Sequence, residues 1–392
     1  MRLNLFAALP LLLVAAAFAA DQTDLEGRIQ PYDLNPAYWQ YHGKPVILLG
    51  GSKTDHIFLL EDLETHLTEI AAAGANYVRC VMSQREGAEL KPHLLAESGK
   101  FDLKRWNPEY WSRFENCLRV CHNHRIIVQI EIWDRFDYSQ KEWQQSAWRP
   151  ENNLNYTSSE SGLADSYPAP AYRDKQPFFH TLPGSPLYEE RLNLILEYQE
   201  KFLSKVLSIS LSFDNVLYCI GNESSAPSIW GEHWSTFIQE RATARGTSAE
   251  ITQMYDSGRF EPVVKSPASY SFVECSKLLG PRRQQWAPRG EALFPRVASL
   301  RASMGERVVP FNAVKIITNQ DEEIASYSVR KFWRGLFAGF AAIRFHREPA
   351  GIALTEPAKI AIQSARMLES KMKFWELTLR QALLTDRSED EA

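Results

Sequence analysis

Apolar and polar positions divide the chain into two kinds of run that take turns. Short apolar runs rich in β-branched residues occur at 46–49, 77–82, 126–132 and 216–220. Weaker ones follow at 250–254, 270–274, 308–317 and 341–345. Between them lie longer stretches with helical periodicity at 59–73, 108–123, 186–210, 230–244, 290–304, 321–336 and 355–374. Asn107-Pro108 predicts a helix start, with Asn as cap and Pro in the first turn. Thr355, before Glu356-Pro357, predicts another. Eight strands separated mostly by helices imply a parallel sheet, and eight such units imply a (β/α)8 TIM barrel. An open doubly wound sheet is disfavoured, because no glycine-rich phosphate loop follows the first strand.

The alternation breaks once. Residues 138–186 separate the third strand from its helix and are rich in Pro, Asn, Ser, Tyr and Trp. An insertion of this length is expected to be functional or decorative. At the C-terminal end of a barrel strand it would form a lid or substrate wall.

The ends carry other signals. Arg2 precedes an apolar stretch at 3–18, and Ala17-Phe18-Ala19 fits a small-x-small cleavage site. Residues 1–20 therefore read as a signal peptide, which predicts a secreted or periplasmic protein without an integral membrane span after cleavage. Residues 21–376 form the barrel domain, and 377–392 a polar tail. The 392 residues suffice for one large domain. The net charge of −4 and the lack of a Lys/Arg-rich run argue against a nucleic-acid partner. The cysteines Cys80, Cys117, Cys121, Cys219 and Cys275 are odd in number and lack zinc-site spacing. They read as small buried hydrophobes.

In such a barrel the reacting groups sit where strands end. The fourth strand runs into Gly221-Asn222-Glu223, placing a carboxyl beside an amide able to bind a sugar hydroxyl. Partial burial would raise that carboxyl's pKa, as a general acid requires. On the third strand Gln129, Glu131 and Trp133 alternate onto one face, expected to be the barrel interior, with Asp134 at the rim. Lys315 on the seventh strand and Arg344 and His346 on the eighth would form, with Arg79, either a cationic mouth suited to a uronate or sulfated sugar or an internal ion-pair network balancing Glu131, Glu223 and Asp134. Trp133 and Trp230 are candidates for stacking on sugar rings, with core packing the alternative.

Asn222-Glu223 after strand four, together with Asn76-Tyr77-Val78-Arg79 on strand two, resembles clan A glycoside hydrolases. The opening Gly43 to Gly50, the run Glu131 to Tyr138 and the run Phe332 to Arg347 resemble secreted bacterial barrel proteins of that superfamily. The resemblance spans about 35–374 through short motifs. It implies that Glu223 is the general acid/base and that Arg79 lies near the nucleophile. It also implies a nucleophilic Glu ending strand seven, where this chain has Lys315 instead. Many such proteins continue into a small β-sandwich, whereas here Phe374-Trp375-Glu376-Leu377 leads into the polar tail.

These readings predict a glycoside hydrolase acting on an oligo- or polysaccharide, with no cofactor or metal implied. Glu223 would be the acid/base and Glu131 or Asp134 the base or nucleophile, the alternative for these two being a buried Glu–Arg pair. Arg79 and Asn222 would position that partner and the sugar. Asp321 and Glu322 are weaker candidates, reading more as the first turn of a helix. A retaining mechanism needs carboxyl groups about 5–5.5 Å apart and an inverting one about 6.5–9.5 Å. Two alternatives remain open: a carbohydrate-binding barrel without turnover, and a lyase on uronic-acid polymers with Lys315 or His346 as base.

Overall fold

A computed structural model describes residues 27–82, 90–138, 140–167, 176–279, 293–318 and 324–378. The predicted leader, the tail from 379 onward, and Asp321 and Glu322 lie outside the described residues.

The fold is a (β/α)8 barrel. Its strands are, in order, Leu48–Gly51, Tyr77–Val81, Ile127–Asp134, Val216–Asn222, Glu250–Thr252, Val273–Glu274, Phe311–Ile316 and Ala342–Phe345. Neighbouring strands pair in parallel, in the order five-four-three-two-one-eight-seven-six. The remaining gap is bridged where Ser271 N donates to Ile251 O at 2.9 Å and Thr252 Oγ1 to Phe272 O at 2.7 Å. Strands two, three, four, seven and eight are buried along their whole length. Burial on both faces explains why they read as continuous apolar runs rather than as alternation.

The predicted helices are present, some with shifted bounds. The first is Leu63–Ala72, preceded by a 3-10 turn at Ile57–Leu59. Asn107 caps helix Pro108–Asn123 by accepting from Glu109 N at 3.1 Å. Thr355 occupies the cap position of helix Glu356–Glu369 but makes no side-chain cap bond. Its hydroxyl donates instead to Ile352 O at 2.8 Å. Two features carried no clear sequence signal. One is the hairpin of His93–Leu95 with Phe101–Trp106. The other is an antiparallel sheet of Gln30–Tyr32, Asn35–Tyr41 and Lys44–Val46, which takes part of the run expected to be the first barrel strand. Trp39 from this sheet is fully buried and donates its indole N–H to Asn312 at 2.9 Å, near the start of strand seven. It therefore fills the end of the barrel opposite the strand C-termini.

The first strand ends in Gly50-Gly51 because nothing larger fits. A Cβ at Gly50 would lie 1.9 Å from Tyr77 O, and one at Gly51 2.5 Å from Ala353 O. All five cysteines are free and buried, as their spacing suggested.

The insertion after strand three is not structureless. It contains short helical turns at Gln140–Gln145, Pro150–Asn152, Ser158–Ser161 and Pro177–Phe179. Aromatic residues pin it down: Tyr138 stacks on Phe178 at 3.8 Å, and Trp148 meets Phe178 at 5.2 Å. Trp133 joins this cluster, 5.1 Å from Phe202 on helix Asn193–Ser210 and 5.9 Å from Trp234 on helix Ser228–Ala244. The expectation that Trp133 shares an interior face with Glu131 is therefore corrected. At the end of the strand the ring packs into the helical layer.

Candidate active site

The loops after the strands bring charged groups together at the C-terminal end of the barrel. Glu223 immediately follows strand four and has a left-handed backbone with φ 50°. This conformation costs a non-glycine residue about 1 kcal/mol or more and is concentrated at functional sites. It is held by Ser224 N donating to Met254 O at 2.9 Å and Asp256 N to Ser224 O at 2.8 Å.

Three cations surround the Glu223 carboxyl. Lys315 Nζ reaches Oε1 at 2.6 Å, Lys277 Nζ reaches the same oxygen at 2.8 Å, and Arg135 Nη2 donates to Oε2 at 3.2 Å. Burial by itself would raise this carboxyl, as the sequence led us to expect. The ammonium groups of Lys315 and Lys277 reverse the sign and hold it well below the usual carboxylate range. Glu223 is thus a carboxylate at neutral pH, and the expected proton-donating form is not the resting one.

The surroundings fix each cation in turn. Lys315 also donates to Asn222 Oδ1 at 2.9 Å. Asn222 donates to Asp134 Oδ2 at 3.0 Å, and Asp134 accepts from Phe136 N at 3.0 Å. Arg135 pairs with Asp256 at 2.6 Å and its carbonyl accepts from Gln176 of the insertion at 3.0 Å. Lys277 is the second residue of the short helix Ser276–Leu279, whose Ser276 hydroxyl accepts from Lys315 N at 3.0 Å.

A second charged network lies beside the first. Arg79 donates to Glu131 through one nitrogen and to Asp55 at 2.7 Å through the other. Asp55 also accepts from Arg344 at 3.0 Å and Arg347 at 3.2 Å. Burial opposes ionisation of Asp55, but Arg79, Arg344 and Arg347 hold it well below its usual range. Asp55 is placed by Val81 N, which donates to its carbonyl at 2.9 Å. Arg344 is fully buried and donates to Val314 O at 3.0 Å. Burial pushes His346 well below its ordinary pKa, so it is neutral at pH 7 with Nδ1 3.7 Å from Asp55.

The structure therefore brings Glu223, Asn222, Asp134 and Lys315 into one hydrogen-bonded chain, and Arg79, Glu131, Arg344 and His346 around Asp55. It corrects two expectations about form. Trp133 and Trp230 are 1% and 0% exposed, inside the aromatic cluster, so neither presents a face for a sugar. Arg79 and Arg344 are engaged by Asp55 and do not line an open cationic mouth. Sequence reasoning missed Asp55, Arg135, Asp256 and Lys277. Each lies just past the end of a barrel strand, so the strand-end rule applied to all eight strands would have found them.

One buried acid stands apart. Glu274 ends strand six, accepts from Ser276 N at 2.8 Å and receives Gln129 Nε2 at 3.4 Å. Burial pushes its pKa up to about 7. The raised folded value means the native state holds a proton that the unfolded chain releases above its ordinary range. The associated stability is full below that range and is lost as pH rises toward 7, by about 3 kcal/mol in all. Glu274→Gln should therefore raise stability relative to the wild type at pH 8 and lose that advantage near pH 4.5. Denaturant titrations at the two pH values measure it, and a pH-independent difference would disprove the coupling.

No protein-family model matches the sequence, and no curated protein sequence does. Solved structures do match. The endo-1,4-β-mannanase from Rhizomucor miehei aligns over 88% of this chain and 100% of its own, with TM-score 0.61 and 11% identity. A glycoside hydrolase family 5 mannosidase from the same organism covers 88% of this chain and 99% of its own, with TM-score 0.58 and 14% identity. The endo-β-1,4-mannanase from Thermotoga petrophila covers 86% and 79%, with TM-score 0.56 and 10% identity. The chain shares the (β/α)8 fold of these enzymes over nearly all of its described length.

Proposed function

We propose that the protein is a glycoside hydrolase that binds carbohydrate over Glu223 at the C-terminal end of its barrel. The observation that carries this reading is the strained Asn222-Glu223 turn at the end of strand four, in a barrel of glycosidase fold. Glu223 is ionised at rest, so it begins the reaction as a base or nucleophile and becomes an acid only after gaining a proton. Asp134, oriented by Asn222, is the second carboxylate of the site. Glu131, fully buried behind Arg79, positions charge rather than touching sugar. The solved neighbours include mannanases and a mannosidase, so β-1,4-mannan is the first substrate to try.

A second reading is favoured by the three cations on Glu223 and by Lys315 at the strand-seven position: a carbohydrate-binding barrel without turnover. The lyase reading is weakened, because the Lys315 ammonium is engaged by both Asn222 and Glu223. One experiment separates these readings. The protein is incubated with β-mannan, cellulose, xylan and polyuronate oligomers, with release of reducing ends, ultraviolet absorbance and binding heat followed together. New reducing ends without an unsaturated product support hydrolysis. Saturable binding without product selects the second reading, and no binding to any glycan sinks both.

A further inference from the structure

The Glu223 cluster holds one more cation than that carboxylate needs. Lys315 and Lys277 both point at Oε1, at 2.6 and 2.8 Å, while Arg135 serves Oε2. The two lysines are not equivalent. Lys315 is 3% exposed and has a second acceptor in Asn222. Lys277 is 21% exposed, and among the described residues Glu223 is the acceptor its ammonium reaches. Burial and the repulsion of Lys315 both lower the pKa of Lys277, against the attraction of Glu223 and, more weakly, Asp256. Withdrawing Lys277 leaves Glu223 paired with Lys315 and Arg135. Lys277 is therefore the cation that can leave at least cost, and it already faces solvent.

We propose that Lys277 recognises an anionic substituent on the sugar, a carboxylate or a sulfate ester, and moves its ammonium from Glu223 to that anion. The proposal rests on carbohydrate binding over Glu223. It names the substrate class and assigns Lys277 as the residue that selects it. It also supplies what the resting site lacks. When Lys277 turns to the ligand, Glu223 loses one of its cations and gains a nearby negative charge, and both changes favour protonation. The other groups facing this carboxylate stay in place: Lys315 from strand seven, Arg135 beyond strand three with its partner Asp256 beyond strand five, and Asp134 through Asn222. An anionic sugar thus moves Glu223 toward the proton-bearing state a general acid needs, while a neutral sugar leaves it locked.

The test uses three probes with one backbone: β-1,4-mannotetraose, β-1,4-tetramannuronate and sulfated mannotetraose. Calorimetry on the full chain should show at least one anionic probe binding about tenfold or more tighter than the neutral one, as a charge-assisted contact provides. The ratio between anionic and neutral affinity should collapse in Lys277→Met and survive in Lys277→Arg. Carboxyl-carbon NMR gives a second readout, with the Glu223 signal identified by its loss in Glu223→Gln. Its titration midpoint should rise on adding the preferred anionic probe and in Lys277→Met, but not on adding mannotetraose. Neutral binding with no anionic preference, or a preference that Lys277→Met leaves intact, overturns the assignment of Lys277 and leaves carbohydrate binding standing. Failure of all three probes to bind, with the Glu223 midpoint unmoved in Lys277→Met, overturns both.

Discussion

Replacing Arg79 with Met should cost the fold about 3–5 kcal/mol, the loss expected when one partner of a buried ion pair is removed. Arg79 is 1% exposed, and its guanidinium bridges Asp55 at 3% and Glu131 at 0% side-chain exposure. Asp55 would keep Arg344 and Arg347. Glu131 would keep no cation among the described residues. Its second oxygen already has no hydrogen-bond partner, so the carboxylate would stand alone between strands two and three. The measurement is a urea titration of the wild type, Arg79→Met, Glu131→Gln and the double variant. The double variant should be more stable than Arg79→Met alone, because it removes the stranded charge together with its partner. If the two losses simply add, the pair contributes no coupling and the cost of Arg79→Met is packing.

This network shows where the sequence was readable and where it was not. The eight strands were legible because burial on both faces leaves an apolar run that needs no tertiary knowledge. The hairpin of His93–Leu95 and Phe101–Trp106 was not, since its strands are short and partly exposed. Glu131 and Arg79 could be assigned to adjacent strands, and their pairing follows from the register Arg79↔Gln129 and Val81↔Glu131. Asp55 was invisible to that logic. It sits in the loop after strand one, and its partners come from the two neighbouring strands: Arg79 from strand two, and Arg344 and Arg347 from strand eight and its end, which meet strand one only through a closure that periodicity does not encode. The sign of the Glu223 shift failed for the same reason. Burial could be guessed from the strand end, but Lys277 arrives from the loop after strand six. Trp133 failed differently: it still pairs with Gly221 in the sheet, but its ring goes to the aromatic cluster of Phe202 and Trp234, which supplies a larger apolar surface than the barrel interior.

Glu223→Gln should reduce turnover by about 10²–10⁴-fold, the range associated with a positioned acid or base. The structure adds that it should also destabilise the protein, since Lys315, Lys277 and Arg135 would face a neutral amide. The folded pKa of Glu223 is depressed, so its ionic stabilisation is present above the ordinary carboxylate range and is lost as pH falls through the folded value. The stability gap between wild type and Glu223→Gln should therefore be wide at pH 7 and narrow in strong acid. Loss of activity in the single variant would then have two possible origins, chemistry and unfolding. Glu223→Gln/Lys315→Met separates them. Removing the most buried of the three cations along with the carboxylate should restore part of the lost stability. Because the reacting carboxylate is still absent, turnover should stay at the level of Glu223→Gln. Thermal unfolding and turnover of the wild type, Glu223→Gln, Lys315→Met and the double variant, measured side by side, give the answer. Stability recovered without activity supports Glu223 as a reacting group. Activity that returns along with stability would reduce Glu223 to a counter-charge for Lys315, and the barrel would have to carry out its chemistry through Asp134.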